Sequence, residues 1–328
     1  MIPFVIRRVL VSIPVLIGSS ILTFIMVKFS GDPLQNLKLR SPRPPAEVIQ
    51  AQEHRLWLDR SWPEQYWHWI SNVVLHWNFG PSVQQNENIR SDIFSSLLVT
   101  ARLVGASVIL SLVLAVITGV VSAVKQYSLL DHTTTFIGFL FLSMPVFWFA
   151  ALLKEGGIWY NKNVSADTFF TIGDKSVFLT DNSWWAHFTD VLGHMVLPTI
   201  VLSLAGYAAW SRFTRASMLE VLGSDYVRLA RSKGLSQRRV LVRHALRTAL
   251  IPLTTVTALD VATLLGGAII TETVFQWHGM GFLLATALSH IDFNLMLGWL
   301  MISAVIVIGF NLIADILYGV LDPRIRHA

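Results

Sequence analysis

The chain contains no cysteine, which excludes disulfides, thiolate metal sites and cysteine nucleophiles. Charge is also scarce. Asp, Glu, Lys and Arg make up 14% of the 328 residues, whereas a soluble protein of this size needs about 25% to build a water-facing shell. No Gly-x-x-x-x-Gly-Lys-Ser/Thr segment is present to cradle phosphates, and neither a His-Glu-x-x-His pair nor a Gly-x-Ser-x-Gly elbow occurs. No catalytic residue, metal or cofactor is therefore expected, and any nucleotide-driven work has to be powered by a separate protein. What is present is apolar: 53% hydrophobic residues and a mean hydropathy of +0.57. These residues recur along the whole chain, which excludes a disordered or collagen-like polymer and a soluble domain on one anchor. The composition is that of a polytopic membrane protein. A net charge of +5 could suit nucleic acid if it were clustered. In a membrane chain it is better explained as loop bias that sets orientation, so no nucleic-acid partner is expected.

Crossing the hydrocarbon takes about 20 apolar residues at 1.5 Å rise. Six segments qualify or come close: 9–29, 103–124, 134–153, 194–211, 248–271 and 293–314. Lys28, near the end of the first, can snorkel to the interface, and Arg102 can do the same at the start of the second. Arg7 and Arg8 precede the first run as in a signal peptide, but the run is too long and no small-residue cleavage pattern follows, so a retained helix is expected. Pro145 predicts a kink in the third span, and the polar Lys154-Glu155-Gly156-Gly157 predicts that this span stops there. Pro198 suits the first turn of the fourth.

Six crossings put both termini on one side, where 14 of the 25 Lys and Arg fall. By the positive-inside rule both termini are cytoplasmic. The organisation expected is a first helix in 1–29, an extracytoplasmic helical cap in 30–95 and a core in 96–328. The cap is rich in tryptophan (Trp57, Trp62, Trp67, Trp69, Trp77), a residue suited to the membrane interface.

The segment 212–247 is unlike an ordinary connector. Apolar residues recur at helical spacing on either side of Gly234, which suits a C-cap, and Ser236 can cap the next helix. Two or three short amphipathic helices are predicted, carrying nine basic residues against Glu220 and Asp225. Their apolar faces need cover from the protein's own span ends, anionic lipid or another subunit.

These residues carry a resemblance. Thr214 to Gly223, Asp225 to Leu235, His244 to Arg247 and Pro252 resemble the EAA signature of ABC importer permeases, in the form found in the dipeptide and oligopeptide branch. Agreement extends in order through Gly31-Asp32-Pro33, Leu58-Asp59, Gln65-Tyr66, Phe79-Gly80, Ser143-Met144-Pro145, Gly266-Gly267, Glu272 to Phe275 and Asp322 to Arg326. Arg228, Leu229 and Ala230 occupy the nominal EAA positions, and His278 stands where that branch often has proline.

The resemblance implies an all-α, six-span type I ABC importer transmembrane domain in a prokaryotic cytoplasmic membrane, working by alternating access. Implied partners are a homologous second permease, two nucleotide-binding ATPase subunits, an external substrate-binding protein, membrane lipid and a peptide substrate, with glutathione and nickel chelates as other cargoes of the family. It also implies that Asp225, Tyr226, Arg228, Ala230, Arg231, Lys233, Gly234 and Leu235 couple the chain to the ATPases.

Asp260, in mid-span, either faces the pathway and meets a peptide amino terminus or is buried and hydrogen-bonded between helices. An ion-coupled carrier built on Asp260 is the rival function, although such folds usually hold more intramembrane charge. Glu272 is expected on the same helix as Asp260, close to the outer surface, in a structural or gating role. It is grouped with Asp260 and Pro145 as a candidate for the translocation pathway. Asn311 and Asp315, an i, i+4 pair, are expected to tie helices together rather than bind substrate.

Overall fold

The computed structural model describes residues 2–83, 88–166, 168–265 and 268–321, the side chains of 2–4 and 318–321 excepted. Among these residues every regular element is a helix. Helix α1 (Ile2–Lys28) leads to the cap helices α2 (Gln35–Lys38), α3 (Ala46–Arg55) and α4 (Trp62–His76). Then come α5 (Ile89–Val124), α6 (Leu129–Ser143), α7 (Val146–Asn163) and α8 (Trp184–Leu222). A short α9 (Asp225–Ser232) and α10 (Gln237–Arg239) precede a π-helical segment, Val240–Leu246, that runs into α11 (Arg247–Leu265). The chain closes with α12 (Ile269–Phe275), α13 (Met280–His290) and α14 (Phe293–Leu321).

Five helical segments are long and apolar enough to cross a membrane, and the bent pair α6–α7 supplies a sixth span. The six hydropathy runs are therefore all found, but several of their boundaries need correction. The third span is two helices meeting at 102°, a break far sharper than a kink. Proline disfavours α geometry in the residue before it, and Met144 is extended at φ −82°, ψ 125°. Nor does the span stop at Lys154. Helix α7 continues to Asn163 because Lys154 Nζ donates to the Val274 carbonyl at 2.6 Å and Gly157 is buried against neighbouring chain. Pro198 is not in a first turn, since α8 begins at Trp184 and holds Pro198 in its interior. The fifth span ends at Leu265, so α12 is a separate helix.

Helices α5 and α8 form the spine. Along α5, Ser107, Ser111, Ala115, Gly119 and Ser122 are buried at three- and four-residue spacing, the small-residue stripe that lets membrane helices approach closely. Ser111 Oγ donates to the Ser203 carbonyl at 2.6 Å. A methyl at Gly119 would lie 2.7 Å from Thr214 Cβ and 2.8 Å from the Ser211 carbonyl. Lipid takes the place of water outside the bundle, so large apolar side chains such as Leu98, Ile109 and Phe136 stand exposed.

The cap is part of the same body. Trp69 and Val73 of α4 are buried with Phe24, Ile93, Phe293 and Leu297 in one core, while Trp57, Trp62, Trp67 and Trp77 remain exposed. Helix α5 starts within the 30–95 segment, at Ile89. Arg102 does not snorkel freely: its Nη2 donates to Asp174 Oδ2 at 2.6 Å, and His278 Nδ1 lies 2.8 Å from Asp174 Oδ1. Lys28 lies over the rings of Phe24 and Phe293. Gly266, Gly267 and Asp322 to Arg326 lie outside the described residues.

Candidate functional site

The most unusual surface is the basic lobe at the end of the molecule where α1 begins and α14 ends. Much of the predicted connector belongs to the long helices, because α8 runs on to Leu222 and the helix resumes at Gln237. Residues 223–236 form the true joint, with α9 at its centre. Helix α9 has too few residues to persist alone in water, so its stability depends on packing. Val227 and Ala230, three apart on one face, are 0% and 6% exposed within a core shared with Met218, Ala123, Val240 and Ala245. The exposed side presents Tyr226 and Leu229, 44% and 55% exposed, with Arg228, Arg231 and Lys233 around them, also exposed.

This arrangement divides the eight candidate coupling residues. Asp225, Tyr226, Arg228, Arg231, Lys233 and Gly234 are exposed, whereas Ala230 is buried and Leu235 packs against the same core. Ala230 and Leu235 hold the joint in place from inside. Leu229 belongs with the exposed set. It stands three residues from Tyr226, the spacing that would have revealed it. The Arg228–Asp225 pair at 3.3 Å is exposed on both sides.

The Gly234 turn and the winding after it have local causes. Gly234 closes α9 at φ +75°, with its N–H bonded to the Arg231 carbonyl at 3.0 Å. This left-handed turn is one that glycine adopts without strain. Ser236 occupies the N-cap position, but its side chain makes no capping bond. The stretch after it winds as a π-helix, which brings Val240 and Ala245 onto one buried face, 1% and 0% exposed. In an α-helix of 3.6 residues per turn, residues five apart point about 140° away from each other.

A second cluster locks the base of the lobe to the bundle. Arg215 of α8 donates to both carboxylate oxygens of Asp131 at 2.8 and 2.9 Å, and Ser122 of α5 also bonds Asp131. The pair lies 84 residues apart, so no local pattern could have revealed it.

The acidic candidates in or near the spans lie apart from one another. Asp260 of α11 is half-buried, and its Oδ2 accepts the Trp210 indole N–H at 2.7 Å, joining α11 to α8. Glu272 is not on that helix. It lies on α12, 0% exposed, where it accepts Thr100 Oγ1 at 2.7 Å and the N–H groups of Gly281 and Phe282 at 2.7 and 3.1 Å. A carboxylate on free N–H groups at the start of α13 is both a cap and a dipole partner. Asp315 pairs with Arg8 at 2.9 Å, connecting α14 to α1, and Asn311 lines the same groove. Pro145 is exposed at the α6–α7 bend.

A helical bundle of six apolar crossings, with an anchored basic helix projecting from one end, is a polytopic membrane protein of the transport class. The family described as "Binding-protein-dependent transport system inner membrane component" matches residues 111–327. Its N-terminal counterpart, "Binding-prot-dependent transport system membrane comp, N-term", matches residues 1–91. The chain belongs to this family. It is similar to the oligopeptide transport system permease protein OppB of Mycobacterium tuberculosis H37Rv, at 37% identity over 98% of both chains. It is also similar to the dipeptide transport system permease proteins DppB of Escherichia coli K12, at 37% identity over 100% of this chain and 99% of the relative, and of Haemophilus influenzae, at 38% over the whole of both. Among solved structures, the inward-facing MetNI methionine ABC transporter has the same fold, with a TM-score of 0.54 at 16% identity over 70% of this chain and 96% of that one.

Proposed function

We propose that this chain is the permease subunit of an ATP-driven importer of dipeptides or oligopeptides, and that α9 receives the force of separate ATPase subunits. The observation that carries this reading is the two-sided packing of α9. Its inner face is fixed in the core, and its outer face offers tyrosine and arginine, which are enriched at protein interfaces, beside an exposed leucine. A rigidly held helix transmits displacement. At 1.5 Å per residue, α8 is roughly 58 Å long, and toward its other end Asp190 accepts from Ser176. A push on α9 is delivered to α8 through residues 223–224 and to α11 through the Gly234 joint.

In this proposal both termini and the lobe lie in the cytoplasm of a prokaryote and the cap faces outward. A homologous permease completes the wall of the pathway, and an external binding protein delivers the peptide. Peptide cargo is favoured by full-length similarity to peptide permeases. The chain itself performs no hydrolysis, and its contribution is differential contact between two states.

Reconstitution tests the reading. The chain, purified with its copurifying subunits in liposomes, should accumulate labelled peptide only with ATP and the binding protein, and peptide should stimulate ATP hydrolysis. Peptide uptake driven by a pH gradient in the absence of ATP would overturn it.

A further inference from the structure

At the opposite end of the bundle, a cavity of about 60 Å³ lies between the cap and the ends of α1 and α14. A water requires about 10–15 Å³ measured in this way, so the cavity has room for a small charged group. Among the described residues its wall holds two basic side chains, Lys28 and Arg55, and neither aspartate nor glutamate.

Lys28 is half-buried, and no carboxylate among the described residues pairs with it. Its ammonium lies 5.5 Å from the Phe24 ring centre and 4.9 Å from that of Phe293. Among the described residues Arg55 makes only long contacts, at 3.3 Å to Gln52 Oε1 and 3.4 Å to the Ser82 carbonyl. Trp69, also in the wall, is 6% exposed, and its indole N–H is buried without an acceptor. Buried donors almost always find a partner, and each exception calls for an explanation. Burial holds the His68 imidazole below its ordinary value, so His68 adds little positive charge. Among the described residues the cavity thus collects two basic side chains and an indole donor with no carboxylate to receive them.

We infer that this cavity is an oxyanion site, in which Lys28, Arg55 and the Trp69 indole N–H hold a phosphate group supplied by a lipid headgroup or by free phosphate. Its height along the molecule suits a headgroup. Lys28 is the last residue of the α1 span, and next to it Phe29 and Trp62 stand edge-to-face at 5.7 Å, 75% and 48% exposed, as aromatic residues do at the membrane–water boundary. The planar guanidinium and the mobile ammonium are both suited to phosphate. The site is remote from α9 and does not depend on the transport reading.

Amine labelling of Lys28 tests the inference site by site. The full chain with its copurifying subunits is treated with acetic anhydride, and modification of each lysine is followed by mass spectrometry. The treatment is run with increasing inorganic phosphate and, separately, short-chain phosphatidylglycerol, using chloride at matched ionic strength and short-chain phosphatidylcholine as controls. The expected result is saturable protection of Lys28 while the exposed Lys125 and Lys162 label unchanged. Trp69→Phe, which keeps the ring and removes the donor, and Arg55→Gln should each raise the half-protection concentration about tenfold. Whichever of phosphate and phosphatidylglycerol protects at the lower concentration is the physiological source. Unprotected Lys28 in both series, or protection that is equal in Trp69→Phe, Arg55→Gln and the unaltered chain, would overturn the inference.

Discussion

At the scale of single residues, Gly234 and Glu272 show two different constraints. Gly234 sits at φ +75° with open space around it, so the constraint is conformational rather than steric. Replacing it with valine forces a β-branched residue into the left-handed region at a cost of about 1–2 kcal/mol, which the joint relieves by rewinding. The protein should still insert and assemble. Peptide uptake should fall severalfold per ATP hydrolysed, measured as the coupling ratio in liposomes. An unchanged ratio would remove Gly234 from the coupling mechanism. Glu272, by contrast, is 0% exposed and accepts from Thr100 and two backbone N–H groups. Glu272→Gln keeps one oxygen for the backbone N–H groups but turns an amide donor toward Thr100 Oγ1, which donates to the carboxylate, and should lower stability by about 2 kcal/mol. A melting temperature equal to that of the unaltered chain would contradict this account of the α12–α13 cap. Gly234 was legible in the sequence because a glycine after a helical run has a local meaning. The burial of Glu272 was not, since its partners come from α5 and α13.

At the scale of elements, the α5–α8 contact is the one most sensitive to volume. Gly119→Val places atoms where Thr214 and Ser211 already lie, and overpacking of this kind costs about 2 kcal/mol. Gly105→Val, on the same helix with nothing within 4 Å of the new carbon, serves as the control. Thermal unfolding in detergent should show a clear drop for the first variant and nearly none for the second, and equal effects would deny the close approach of the two helices. The helices themselves were legible because hydrocarbon demands about 20 apolar residues of any crossing segment. Their ends were not. Helix α8 continues for turns beyond the apolar run on both sides, through the exposed Trp184, Trp185 and Phe188 at its start and through the buried Thr214 and Met218 at its end. Lys154 signalled a stop because its acceptor, the Val274 carbonyl, lies 120 residues away. Arg102 suggested a free, snorkelling cation for a similar reason, its partner Asp174 being 72 residues distant.

At the scale of the whole molecule, the α5–α8 spine is built with small polar residues inside and large apolar ones outside, whereas the lobe around α9 is built differently. There the ordinary rule for soluble proteins returns, with Val227 and Ala230 in a core and charge at the surface. The lobe's position was legible from its basic residues and helical spacing, and its two-sidedness was not, because only packing decides which face turns inward. The absence of native cysteine gives a clean test of the central claim. Single cysteines at Tyr226, Leu229 and Val227, and at the lipid-facing Leu98 as a control, are treated with a short thiol-reactive crosslinker in membranes containing the assembled particle. The account predicts that Tyr226→Cys and Leu229→Cys form an adduct with the nucleotide-binding subunit whose yield changes with ATP, while Val227→Cys and Leu98→Cys form none. If the two outward positions crosslink to no ATPase subunit, or react only with lipid-dissolved reagent, α9 is not the joint that receives the motor.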